Sequence, residues 1–258
     1  MEFLKSHGTM YYEFHGESDK TILLIHGFPL DSSMWKPQIP FLVKSGYSVL
    51  LVDLPGLGQS PYKRALSIDE MADEIADLMR TTNITPYCVG GMSMGGYVAL
   101  SLALRHPDSF NKLALIVTRA EADGEEAREG RYKLAEEVRQ NGSKAAADIF
   151  IDKVLDAESD PQLRKAAYAT MTKAPAAGVV AALEAMAQRP DRTETLPQID
   201  TPTLVMWAEK DKAMPPEAAR NMLVGISGAS EAKLPGGHLT NMEYPEEFNR
   251  ALLRFLES

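Results

Sequence analysis

Cysteine is almost missing from this chain, since Cys88 is the only one in 258 residues. An intrachain disulfide is therefore impossible and a cysteine-rich metal site is excluded. Cations are also in deficit. A formal net charge of −9 leaves no excess of Lys and Arg for phosphate contacts, so nucleic acid is not an expected partner. Long apolar runs are lacking too. ILLI (22–25) and LALIV (113–117) are far shorter than the roughly 20 residues that cross a bilayer, and they match buried strands. The opening MEFLKSHG has acidic and polar residues where a secretion signal would place a basic and then an apolar segment. A soluble, cytoplasmic protein is expected, as a monomer or small homo-oligomer, with no membrane partner. No internal repeat or low-complexity linker stands out, and the length suits one large core.

What is present is an alternation of two periodicities. The segment 3–16 reads as a hairpin turning at His7-Gly8, at the edge of a sheet. Short, continuous apolar runs follow at 21–26, 47–53, 86–92, 111–118 and 201–208, with a weaker one at 230–235. Continuous runs suit strands covered on both faces. Helical patterns lie between them, at SSMWKPQIPFLVKSG after Asp31 as N-cap, SIDEMADEIADLMRTT, YVALSLALRH, PPEAARNML and PEEFNRALLRFLE. In the second, Ile68, Met71, Ile75, Leu78 and Met79 share one face. This alternation predicts an α/β fold with a mostly parallel, doubly wound sheet. From Arg119 to Pro197 the alternation stops, and helical patterns alone fill the stretch.

The residues richest in chemistry are YCVGGMSMGG (87–96). Gly91 and Gly95 flank Ser93 in a G-x-S-x-G pattern, after a strand and before a helix. A turn tight enough to lift a serine hydroxyl clear of the sheet brings backbone against backbone, and glycine removes the Cβ clashes. Ser93 is thus the candidate nucleophile. A tetrahedral intermediate places negative charge on the former carbonyl oxygen, which fixed backbone N–H groups stabilise well. Phe28, in the loop after the first buried strand, and Met94, the residue after Ser93, are the candidate donors. His26 precedes the turn glycine of HGFP and reads as a structural histidine.

HGFP, DLPGLGQS (53–60), GMSMG, EKD and GGH occur in this order along the chain, and in this the sequence resembles the α/β-hydrolase family. The resemblance covers essentially the whole chain. In that family the Asp53 loop, with Gly56, Gly58 and Ser60, is mainly architectural. A serine needs a base to take its proton, and the base needs a third group to orient it. His238, in a glycine-preceded loop beyond the last strand, is the candidate base. His7 and His15 precede the parallel sheet, and His106 sits at the far end of the helix after Ser93. The resemblance implies Asp211 as the acid, although Ala208 stands where a glycine is more common. Glu209 is close to it, and a second class of the family would use Glu121 or Asp123.

The resemblance further implies that the helical segment 119–197 is a cap over a core made of 1–118 and 198–258, inserted between two late strands. Trp35, Arg119, Phe150, Met171 and Met186 are candidate pocket residues, with Tyr168, Leu183, Met92 and Met94 weighed beside them. Each could equally be packing. Arg119, Arg189 and Arg192 near the cap hinges could bind a substrate carboxylate or form structural ion pairs. The expected activity is that of a serine carboxylesterase acting on small ester substrates, with no metal and no cofactor. A 3-oxoadipate enol-lactone hydrolase or related lactonase is the alternative. A ligand sensor that uses the same fold is the alternative from another class.

Overall fold

The structure is a computed structural model that describes residues 3–7 and 10–258. Its described strands are β1 (Phe3–His7), β2 (Met10–His15), β3 (Thr21–Ile25), β4 (Ser48–Asp53), β5 (Cys88–Met92), β6 (Lys112–Ile116), β7 (Thr203–Ala208) and β8 (Ser230–Leu234). They form one sheet in the order β1-β2-β4-β3-β5-β6-β7-β8. β1, β2 and β4 pair antiparallel, and every pairing from β4 through β3 to β8 is parallel. The antiparallel pair of β1 and β2 agrees with the expected hairpin, while its proposed turn runs into residues 8–9, outside the described residues.

The central strands are buried at every position because the sheet is covered on both faces. Successive side chains point to opposite faces of a strand. Leu23 and Ile25 accordingly join Val89, Leu113 and Leu115 in one apolar core. Ile22 and Leu24 join Cys88, Ala114 and Ile116 in the other. On the first side α2 (Ile68–Thr82) presents the apolar face read from its sequence. Ser67 and Glu70 close a reciprocal capping box at its start, and Asn83 ends it in the left-handed conformation.

One expected helix is divided. Asp31 does cap a helical turn, accepting from Ser33 N at 2.9 Å, but this is a short 3₁₀ turn, Ser32–Trp35. The chain becomes α-helical only at α1 (Ile39–Lys44). Pro37 lies between the two, where it lacks an N–H and its ring crowds the preceding turn.

Between β6 and β7 no strand occurs among the described residues. The insertion consists of α4 (Glu125–Asn141), α5 (Lys144–Val154), α6 (Pro161–Lys173) and α7 (Ala176–Gln188), then a 3₁₀ segment, Thr193–Gln198. Arg192 N donates to Ala120 O at 2.9 Å, which ties its two ends together. α7 meets the loop after β4 where Gly178 lies against Gly56, so closely that a Cβ on Gly178 would overlap the Gly56 carbonyl. No described helix is long and apolar enough to cross a membrane.

Candidate active site

Ser93 ends β5 and opens α3 (Met94–Arg105) with φ of +54° and ψ of −114°, a conformation that L-residues rarely adopt. Neighbouring contacts hold it there. Ser93 N donates to Ile116 O at 2.9 Å, and Ser93 O accepts from Gly96 N at 2.9 Å and from Thr118 Oγ1 at 2.8 Å. Serine at a helix start usually caps it with its hydroxyl. Here the side chain makes no capping bond, and Ser93 is half-buried between buried neighbours.

The glycines around it have a steric cause. A Cβ on Gly91 would overlap the Gly95 carbonyl, and one on Gly95 would overlap the Ile25 carbonyl. Neither backbone can withdraw without breaking sheet or helix bonds. Gly91→Ala is therefore expected to lower stability by at least about 2 kcal/mol, read as a fall in the urea midpoint at unchanged m.

Met94 is the first residue of α3, so its N–H has no acceptor within the helix. The Phe28 loop is fixed by Leu30 N donating to Gly27 O at 3.0 Å. His26, fully buried, accepts from Leu54 N through Nε2 at 2.9 Å, so its other nitrogen carries the proton and donates to Gly27 O at 3.0 Å. Both ring nitrogens are thus occupied. Asp53 accepts from Ser32 N at 2.7 Å and Gln59 N at 2.8 Å, joining the loops after β3 and β4.

Beyond β7, Asp211 Oδ1 accepts from Ala213 N at 2.7 Å and Met214 N at 2.9 Å. Its Oδ2 lies 2.7 Å from His238 Nδ1, with both side chains almost fully buried. Glu209 points elsewhere and pairs with Lys233 at 2.5 Å. Ser93, His238, Phe28, Arg119, Phe150 and Met186 line one cavity of about 500 Å³, a size that suits a small ligand. Phe28 and Phe150 meet edge to face in its wall, with ring centroids 5.2 Å apart. Among the described residues no group of three or more His, Cys, Asp or Glu side chains is arranged to hold a metal. Burial pushes the Cys88 thiol up to about 12, which removes it as a nucleophile at neutral pH.

The model of the alpha/beta hydrolase fold matches residues 20–245. The chain belongs to the alpha/beta hydrolase family. Solved structures similar to this hydrolase include an esterase from Thermogutta terrifontis with malate bound, 33% identical, with a TM-score of 0.93 over 100% of this chain and 98% of that one. Another is the enol-lactonase from Burkholderia xenovorans LB400, 28% identical, with a TM-score of 0.90 over 96% of each chain. A curated relative from Rhizobium rhizogenes, named carbamate hydrolase RutD, is 29% identical over 96% of this chain and 98% of its own.

Two expected pocket residues of the hydrolase lie elsewhere. Trp35 is fully buried, does not line the cavity and tilts against Phe248, with ring centroids 5.9 Å apart. Met171 is equally buried, on the inner side of α6. Helical spacing predicts burial, and for both the burial is in core rather than cavity. Met92 and Met94 are also core side chains, and Tyr168 turns to Asp148, its hydroxyl donating at 2.6 Å.

The hinge arginines divide in the same way. Arg192 pairs with Asp69 at 2.6 and 2.8 Å. Arg189 is buried, pairs with Asp123 at 2.9 Å and stacks over the Tyr97 ring at 4.1 Å. Burial raises the Asp123 pKa, but Arg131 and Arg189 outweigh it and hold the carboxyl below its ordinary value. That depressed value makes a stability contribution that is whole above ~3.9, the unfolded pKa, and lost as pH falls through the folded one. Asp123→Asn is expected to cost about 3 kcal/mol at pH 7, with the gap to wild type in urea midpoint narrowing as pH falls below ~3.9.

Glu243 carries no sequence signal that sets it apart from a surface acid. It ends the four-residue helix Thr240–Glu243, just after His238. One carboxylate oxygen accepts from Gly237 N at 2.8 Å; the other accepts from Asp156 N at 2.9 Å and from Ser159 Oγ. Leu239 N donates to Val154 O at 2.8 Å. Both sides of the His238 loop are thus bonded to the end of α5 and the segment after it.

Proposed function

We propose that this hydrolase is a serine carboxylesterase that cleaves short- to medium-chain esters through an acyl-enzyme. The observation that carries the reading is one cavity lined both by Ser93, whose hydroxyl makes no capping bond, and by His238, whose Nδ1 is bonded to the buried Asp211 carboxylate. Ser93 Oγ attacks the ester carbon while His238 Nε2 takes its proton. The carbonyl oxygen gains the charge and is stabilised by the N–H groups of Phe28 and Met94, which are fixed before reaction and need no reorganisation. As the tetrahedral intermediate collapses, His238 returns the proton to the departing alcohol. Water, deprotonated by the same ring, then attacks the acyl-enzyme and releases the acid. Asp211 keeps the proton of the neutral ring on Nδ1, leaving Nε2 free to accept. Serine, imidazole, carboxylate and amide dipoles supply every step, so neither a metal nor an organic cofactor is invoked.

The helices 119–197 act in this reading as a cap that walls the cavity with Phe150, Leu183 and Met186. A p-nitrophenyl ester series of increasing acyl length tests the assignment. Rapid multiple turnover of the short and medium members is expected. A single slow turnover with product retained would instead mark a sensor.

A further inference from the structure

We propose that the cavity selects substrates that carry a free carboxylate besides the bond being cleaved, and that Arg119 binds it. This rests on the esterase reading and names its substrate class. The chain has a net charge of −9, yet its cavity is lined by Arg119, Arg131, Lys153 and Lys212 against a single carboxylate, Asp123. That carboxylate is already shared between Arg131 and Arg189. The charge balance of the cavity is therefore opposite to that of the molecule.

Arg119 differs from the other two arginines of the hinges. Arg189 and Arg192 each have a carboxylate partner. Arg119 is half-buried, and its Nε donates at 3.2 Å to the Met214 thioether, a weak acceptor, with no carboxylate within ion-pair distance among the described residues. A partly desolvated guanidinium without an anion is unfavourable until one arrives. Its planar fork suits a carboxylate better than a point-charge ammonium would. Its location is also fixed, because the preceding residue, Thr118, is hydrogen-bonded to the backbone of Ser93 at 2.8 Å. An anion on Arg119 would hold the remainder of a short substrate near the Ser93 hydroxyl, with Phe28, Phe150 and Met186 contacting its apolar part.

The carboxylate could belong to the acyl or the alcohol half, so both are probed. p-Nitrophenyl hydrogen glutarate is compared with p-nitrophenyl hexanoate, and 4-acetoxybutyrate with pentyl acetate. At least one anionic probe is expected to exceed its neutral counterpart in kcat/KM by about tenfold or more, the scale of one charge-assisted hydrogen bond. Added salt should shrink that advantage. Arg119→Met should abolish that advantage, chiefly by raising KM for the anionic member of the pair, and Arg119→Lys should restore part of it. Preference for the neutral member of both pairs, or equal losses on both classes in Arg119→Met, would overturn the proposal. Calorimetry with glutarate on the Ser93→Ala protein keeps the two readings separate. Binding about tenfold weaker in Ser93→Ala/Arg119→Met is expected even if no ester is turned over, a result that would sink the esterase reading alone; equal binding by both proteins overturns the Arg119 proposal.

Discussion

Ser93→Ala is expected to reduce kcat for a p-nitrophenyl ester by about 10⁶-fold, the order lost when the nucleophile of a serine hydrolase is removed. Stability should stay within about 0.5 kcal/mol of wild type, because the hydroxyl makes no capping bond and alanine meets the same backbone strain at φ of +54° as serine does. Urea denaturation and a steady-state assay on the same preparation read both quantities. A purified variant retaining a tenth of wild-type turnover would dismiss Ser93 as nucleophile.

Asp211→Asn should have the next largest effect, about 10⁴-fold in kcat with little change in KM. The local bonds dictate which way the new amide faces. Oδ1 accepts from two backbone N–H groups, of Ala213 at 2.7 Å and Met214 at 2.9 Å, so the amide oxygen stays there. The amide nitrogen then faces His238 Nδ1 and donates to it. That traps the imidazole with its proton on Nε2, the position that must accept the serine proton. A loss below tenfold would mean that Asp211 does not orient the ring during turnover.

The fold was legible wherever periodicity and burial coincide. Continuous runs such as TILLI and KLALI became fully buried strands, and the acids and apolar residues of α2 separated onto the two faces that their spacing predicts. The all-helical insertion was readable in the same way, whereas the hydrolase fold itself was implied by the resemblance that HGFP, GMSMG and GGH carry in their order along the chain. Pro37 was the signal that should have divided SSMWKPQIPFLVKSG. At the site, the glycines around Ser93 were informative because backbone crowding leaves no other residue type possible. Trp35 and Met171 were not, since an apolar side chain at helical spacing is buried alike by a core or by a cavity wall. Most partners of Arg189 and Glu243 lie far away in sequence, at Asp123 and Asp156 among others, and several are backbone N–H or C=O groups, which look the same in every residue.

In the proposed cap reading, Glu243 gives the insertion a second task besides walling the cavity. With Leu239 N on Val154 O, its carboxylate pins the His238 loop to the helices overhead. Trimming those helices to accommodate bulkier esters would not yield a roomier minimal enzyme. The histidine loop would lose its upper anchorage, so widening is better pursued by shortening side chains at Leu183 or Met186 than by excision.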